Sequence, residues 1–178
     1  MNQPDMACDD LIFLDETGFN TNMSRGYARA LSGERAVVSE PVKRSINHSL
    51  VGAITSKGLI TAMMVEGAID GDAFKCFISE FLLPFLKPGK TVVMDNLPAH
   101  HVDGIEGLIE STGASVLYLP PYSPDLNPIE ECWSKMKSLI RKWKPRAVDD
   151  LWDTVGKAMS AVTVSDCKGW FNHAGYFL

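Results

Sequence analysis

Short apolar runs alternate with polar segments along the chain and predict a strand-rich first half followed by alternating helices and strands. Leu11–Leu14 and Lys90–Met94 have the length and composition of buried strands, and each is followed directly by an aspartate. His48–Thr55 and Leu59–Val65 flank a three-residue turn and predict a β-hairpin. The other predicted strands are Ser115–Leu119 and a poorly marked one near Arg35–Ser39.

Apolar residues at helical spacing predict the helices. The predicted helices are Asp70–Leu86, capped by Asp70 or Asp72, then Val102–Ser111, a helix that begins at Pro128, Val148–Val162 and Ser165–Ala174. This order of elements predicts an α/β fold in which helices cross a central sheet.

The segment from Leu119 to Lys137, LPPYSPDLNPIEECWSKMK, combines a rigid loop with the start of a helix. Its four prolines exclude a helix or a central strand before Asn127, so an ordered loop is expected there. Asn127 is a preferred N-cap residue and Pro128 suits the first helical position. Glu130 stands three residues after the cap, where the acid of a capping box would lie.

Helical geometry separates the two glutamates of this segment. At 100° per residue, one face collects four apolar residues, which are Ile129, Trp133, Met136 and Ile140. Glu130 lies about 100° from Ile129 and flanks this buried face, whereas Glu131 lies about 200° away and points to solvent. Glu130 is therefore the one that a functional site could use.

Composition and charge limit the functional classes. The chain has 178 residues and is 46% hydrophobic, which suits one globular domain. No apolar run approaches the roughly 20 residues that span a bilayer, so a cytoplasmic protein without a membrane partner is expected. The four cysteines lack metal-ligand spacing and are expected to be reduced structural thiols.

A net charge of −5 argues mildly against a dedicated nucleic-acid binder, but the basic residues are clustered. Several follow Glu130 on or just beyond the same helix and form a candidate phosphate-binding track. The candidate nucleic-acid contacts are Lys137, Arg141, Lys142, Lys144 and Arg146.

Three acids are predicted to emerge at one edge of the sheet. Asp15 and Asp95 follow buried strands, and Glu130 begins a helix beside them. Each acid could instead be a turn former or a helix cap, but their coincidence at one edge favours a shared site. Three carboxylates suit Mg²⁺, and two such ions can clamp the attacking and leaving oxygens of a displacement at phosphorus.

These residues match a known family. The chain resembles the catalytic domain of DDE transposases of the insertion-sequence-630/mariner superfamily through Leu14-Asp15-Glu16-Thr17, through Asp95-Asn96 followed by His100, and through Tyr122-Ser-Pro-Asp-Leu-Asn-Pro-Ile-Glu130. The 34 residues from 96 to 129 that separate Asp95 from Glu130 are typical of that superfamily. The resemblance covers residues 11–146.

The resemblance implies a ribonuclease H-like fold, with a mixed central sheet and helices on both faces. It implies that Asp15, Asp95 and Glu130 bind two Mg²⁺ ions, with Mn²⁺ as a substitute, for DNA strand cleavage and strand transfer. Asn96 and His100 are auxiliary candidates, although a solvated surface role is the commoner one for histidines that open a helix, as His100 and His101 do. The implied partners are the DNA of the element ends and target, and a second copy of the chain.

Members of this superfamily usually carry N-terminal helix-turn-helix domains. Because the first predicted strand begins at Leu11, we expect residues 1–178 to be a single catalytic domain that lacks this region. A separately encoded DNA-binding subunit is then an expected partner, and the nucleoid an expected location.

Two other functions stay open. One is an inactive transposase remnant that only binds DNA or a partner protein. The other is a phosphatase that forms an aspartyl phosphate on Asp15, although Thr17 stands where such a site usually has a second aspartate.

Overall fold

A five-stranded mixed sheet forms the centre of the protein. The computed structural model describes residues 8–24, 29–35, 37, 45–96 and 104–177, and in these the strand order is β3-β2-β1-β4-β5. The strands are β1 (Leu11–Phe19), β2 (His48–Thr55), β3 (Gly58–Glu66), β4 (Thr91–Met94) and β5 (Ser115–Tyr118). The predicted strand near Arg35–Ser39 is wrong for Arg35 and Val37, which lie outside any strand. The other three residues of that range lie outside the described residues.

β1 is the junction between the antiparallel and the parallel parts of the sheet. It pairs antiparallel with β2 over Phe13–Phe19 and parallel with β4 over Leu11–Phe13. The hairpin of β2 and β3 is confirmed, and β5 runs parallel to β4. β1 extends five residues past the predicted strand end at Leu14 because β2 supplies hydrogen-bond partners along its whole second half.

All the predicted helices are present, but the first is regular α-helix over only six residues, and Val102 and Asp103, where the second was expected to begin, lie outside the described residues. The helices are α1 (Gly71–Cys76), α2 (Ile105–Glu110), α3 (Pro128–Trp143), α4 (Val148–Ser160) and α5 (Val164–His173). α1 continues into a π-helical segment, Phe77–Leu82, and a 3₁₀ turn, Leu83–Phe85. Asp70 caps α1 by accepting a hydrogen bond from the backbone amide of Ala73. No helix among the described residues is both long and apolar enough to span a bilayer.

Helices cover both faces of the sheet, as the family resemblance implied. On one face, α1, the π-helical segment and α2 pack over Ile12 and Leu14 of β1. On the other face, α3, α4 and α5 pack over Phe13 and Phe19. This alternation along β1 follows from the two-residue period of a strand, so each side chain of β1 belongs to a defined face.

α3 is anchored to the sheet by Trp133. The predicted buried face of this helix is confirmed, since Ile129, Trp133, Met136 and Ile140 are all buried. The Trp133 ring lies against Gly52 of β2, where an added Cβ would lie 2.9 Å from its Cη2 atom. Only a residue without a side chain allows the indole to approach the strand this closely.

A half-buried salt bridge joins α3 to α5. Because it is only partly removed from water, its desolvation costs less free energy than that of a fully buried pair. Lys135 Nζ contacts Asp166 Oδ2 and also donates to the carbonyl oxygen of Ala161 at 2.9 Å. Asp166 and Thr163 form a capping box at the start of α5. One carboxylate therefore completes a helix cap and binds the neighbouring helix.

All four cysteines are free; Cys76 is exposed and the other three are buried. Cys132 of α3 and Cys167 of α5 are fully buried. Burial raises the pKa of the Cys132 thiol to about 12 and that of Cys167 to about 11. At neutral pH both are uncharged packing groups.

Gly52→Ala should lower the free energy of unfolding by about 1–3 kcal/mol, because the new methyl group would meet the Trp133 ring and, at 3.3 Å, the carbonyl oxygen of Thr61. Combining it with Trp133→Phe should cost less than the sum of the two single changes, since phenylalanine removes the contacted atom. Urea unfolding measures all three variants. Gly18→Ala is the control, because a Cβ there meets nothing within 4 Å; strict additivity would contradict the contact.

Asp166→Asn should lower stability in a pH-dependent way. The hydrogen bond from Lys135 holds the pKa of Asp166 at about 2. A carboxyl whose folded pKa is lowered stabilises the protein above its unfolded pKa of about 3.9, and this contribution is lost as the pH falls toward the folded value. We expect a loss of about 1–2 kcal/mol at neutral pH.

The difference between wild type and Asp166→Asn in urea unfolding should shrink as the pH falls from about 5 toward about 2. Asp153→Asn, on the exposed surface of α4, is the matched control and should show little difference at any pH. A pH-independent loss in Asp166→Asn would argue against the charged interaction with Lys135.

Candidate active site

Asp15 lies in the middle of β1, not at its end. We predicted that Asp15 follows the strand at the sheet rim. This is wrong where β1 meets β2, because Asp15 pairs with Gly52 within the strand. On the β4 side the last paired residues are Phe13 and Val93. Continuing this parallel register by two residues brings Asp95, the first residue after β4, beside Asp15.

Both aspartates belong to the α3 face of the sheet. Asp15 is two residues from Phe13, and Asp95 is two residues from Val93; Phe13 and Val93 both pack in the core beneath α3. Because side chains alternate along a strand, residues two apart share a face. Asp15 is buried with 7% of its surface exposed, and Asp95 is half-buried.

Glu130 and Glu131 are both exposed and border one pocket together, but they differ in their relation to the aspartates. Glu130, in the first turn of α3, lines a pocket together with Asp15 and Asp95. Glu131 does not line this pocket, and its Oε1 lies 3.7 Å from His173 Nδ1 of α5. The glutamate that the sequence analysis selected, Glu130, therefore lines the same pocket as the two aspartates.

The pocket that contains the three acids has a volume of about 410 Å³. Its wall opposite the sheet is the proline-rich loop, Leu119–Pro124, together with Asn127. Asn96, one of the two auxiliary candidates, also lines it. The other candidate, His100, lies outside the described residues, as does His101.

Hydrogen bonds hold the proline-rich loop at both ends. The backbone amide of Leu119 donates to the carbonyl oxygen of Met94 at 2.8 Å, so the loop begins beside Asp95. The Tyr176 hydroxyl donates to the carbonyl oxygen of Leu126 at 2.9 Å, just before α3 begins. Between them, Tyr122 has a left-handed backbone (φ 58°) and a fully exposed side chain.

Asn127 occupies the predicted N-cap position but does not cap α3 with its side chain. Pro128 begins the helix as predicted, and the backbone amide of Glu130 donates to the carbonyl oxygen of Asn127 at 3.1 Å. The side-chain capping bond and the capping box expected from Asn127 and Glu130 are absent at this helix start. Asn127 Oδ1 is instead buried without a hydrogen-bond partner.

The candidate nucleic-acid contacts lie along and beyond α3. Lys137 and Arg141 are half-buried on the helix, and the other three candidates, Lys142, Lys144 and Arg146, are exposed. Arg146 donates to the carbonyl oxygen of Thr21 at 3.0 Å and so joins the α3–α4 connection to the segment after β1. The ion pairs found within the described part of the chain involve none of these five residues.

The donor set suits a hard divalent cation, because all three acids supply carboxylate oxygens. Nevertheless, within the described ranges no group of three or more His, Cys, Asp or Glu side chains is placed so that it could hold a metal ion. Carboxylates that share a pocket repel one another unless a cation lies between them. The three acids thus match such a cation in ligand chemistry but do not form a ready-made cluster.

Solved structures with a similar fold come from Mos1 transposase. A pre-cleavage Mos1 transpososome has a TM-score of 0.76 at 13% identity, over 94% of this chain and 53% of that chain. A Mos1 mariner paired end complex with Mn has a TM-score of 0.71 at 15% identity, over 93% and 52%. The structure of the Mos1 transposase catalytic domain with Raltegravir and Mg has a TM-score of 0.65 at 12% identity, over 93% of this chain and 78% of that chain.

This chain therefore spans about half the length of the chains in the first two structures. The similarity confirms the predicted ribonuclease H-like fold. A comparison with curated proteins gave no match.

The sequence itself matches a family model described as DDE superfamily endonuclease, over residues 10–152. The matched region begins just before β1 and ends in α4, so it includes all three acids and the loop that encloses them. The chain belongs to the DDE superfamily endonucleases.

Proposed function

We propose that this chain is the catalytic domain of a transposase that cleaves and joins DNA strands with divalent metal ions bound by Asp15, Asp95 and Glu130. The observation that supports this most directly is the single pocket into which β1, the end of β4 and the start of α3 bring these three acids. The family match, which spans the whole site, favours this function over an aspartyl-phosphate phosphatase.

In this proposal Asp15, Asp95 and Glu130 hold Mg²⁺ or Mn²⁺, and the similar Mos1 structures solved with Mn and with Mg support the choice of metal. Two such ions, when bound, supply Lewis-acid stabilisation of the attacking and leaving oxygens at phosphorus. The protein positions its carboxylates and supplies no covalent nucleophile. Water attacks in strand cleavage, and a DNA 3′-hydroxyl attacks in strand transfer.

The three ligands differ in how firmly the fold holds them. Asp15 is buried within a strand that is paired on both sides nearby, so its position is set by the sheet. Asp95 begins the segment after β4, and Glu130 lies exposed at the first turn of α3. Cation binding would draw Asp95 and Glu130 toward the rigid Asp15 and so complete a site that the acids alone do not form.

DNA is the proposed substrate, and the basic residues of α3 would contact its phosphates. Arg141 follows Glu130 by eleven residues, which is about 16 Å along the helix axis. Contacts at that distance would reach the backbone several nucleotides from the cleaved bond. The pre-cleavage Mos1 transpososome and the paired end complex support assembly on transposon ends, with a second copy of the chain and a DNA-recognition unit as proposed partners.

Asp15→Asn, Asp95→Asn and Glu130→Gln should each abolish metal-dependent nicking, by at least about 10²-fold, because each removes a ligand charge without removing core packing. Cleavage of a labelled duplex with Mg²⁺ or Mn²⁺ measures the loss, and circular dichroism checks the fold. Glu131→Gln is the matched control and should keep nearly wild-type activity. Full nicking by any of the three triad variants would overturn the proposed site.

Lys137→Ala combined with Arg141→Ala should weaken DNA binding equally for an element-end duplex and a scrambled duplex, since phosphate contacts carry no sequence information. Loss of two phosphate contacts should reduce the log–log salt slope by about 1.8. Fluorescence anisotropy across a salt series measures both quantities. A wild-type preference above about tenfold for the element end would contradict a purely phosphate-based contact.

A further inference from the structure

Asn127 is a common residue type for the start of a helix, but its side chain makes an unusual set of contacts. It lies in the N-cap position, where an asparagine side chain normally accepts a hydrogen bond from the helix, yet it makes no such bond. Only 5% of its surface is exposed, and Oδ1 is buried without a partner. A buried carboxamide oxygen without a donor is unfavourable for the fold, so a role outside the helix cap is indicated.

The surroundings of Asn127 indicate where that role lies. Asn127 and Glu130 both line the pocket of the three acids and also a second pocket of about 320 Å³. This second pocket is bordered by Asp125, Glu131 and His173. Asn127 therefore forms part of the wall between two acidic pockets, one helical turn from the proposed ligand Glu130.

Hydrogen bonds and a proline fix the backbone of Asn127, whereas Oδ1 of its side chain has no hydrogen-bond partner. Its amide donates to the carbonyl oxygen of Pro124 at 3.0 Å, and the preceding residue, Leu126, accepts a hydrogen bond from Tyr176. Pro128 then restricts its backbone to extended angles, and φ −111° and ψ 93° are observed. The loop and Pro128 therefore set the backbone position of Asn127, and Oδ1 of its carboxamide is left without a donor.

We propose that Asn127 is a positioning residue for the metal-bound state, in which Oδ1 accepts a hydrogen bond from a water molecule of the cation that Glu130 helps to hold. This inference rests on the proposed function. Mg²⁺ and Mn²⁺ keep several water molecules when carboxylates bind them, and these waters are strong hydrogen-bond donors. A carboxamide oxygen is an acceptor without charge, so it orients such a water without adding to the repulsion among the three acids.

Mn²⁺ binding, followed by the electron paramagnetic resonance signal of free Mn²⁺, tests the proposal on the intact chain. Asn127→Ala should weaken the affinity about 10–100-fold, as the loss of a residue that orients metal ligands does. Asn127→Asp keeps an acceptor oxygen and should bind Mn²⁺ at least as tightly as wild type. Without metal, the melting temperature of Asn127→Ala should equal or exceed that of wild type, because no capping bond is lost.

Asn172→Ala makes the same substitution at an exposed position of α5 and should leave Mn²⁺ affinity unchanged. Wild-type affinity in Asn127→Ala, with binding lost in Glu130→Gln, would overturn the role of Asn127 and leave the proposed function intact. Equal weakening in Asn127→Asp and Asn127→Ala would overturn the acceptor role. If wild type itself binds no Mn²⁺, both the inference and the proposed metal site fail.

Discussion

The contact between Trp133 and Gly52 sets the distance between α3 and the sheet, and the candidate active site depends on that distance. Gly52 pairs directly with Asp15, and Trp133 follows Glu130 by about one helical turn. The same contact therefore fixes, within a few residues, the strand that holds the first acid and the helix that holds the third. A side chain at Gly52 would meet the Trp133 ring and disturb this contact.

The rest of α3 is held by interactions that suit its position. Its buried face packs on β1, and Lys135 binds Asp166 at the start of α5. At the N-terminal end, the proline-rich loop and the hydrogen bond from Tyr176 to Leu126 restrict the backbone. A helix so firmly held can present a carboxylate to a charged pocket without moving when the charge there changes.

The site combines rigid and adjustable parts. Asp15 is fixed within the sheet, whereas Glu130 is exposed and the Asn127 carboxamide has no partner. The three acids line one pocket, and among the described residues they do not form a ready-made metal cluster.

The sequence by itself indicated most of the helices and strands and the buried face of α3, because apolar periodicity and proline positions are local signals. Helices on both faces of the sheet were implied by the family resemblance, not by these patterns. The sequence did not show that β1 continues past Asp15, since this depends on pairing with the distant β2. It also assigned Asn127 to a helix cap, because local preference indicates where a residue lies but not which bond its side chain makes. Only the tertiary structure decided these points, because hydrogen-bond partners distant in sequence meet only in the folded chain.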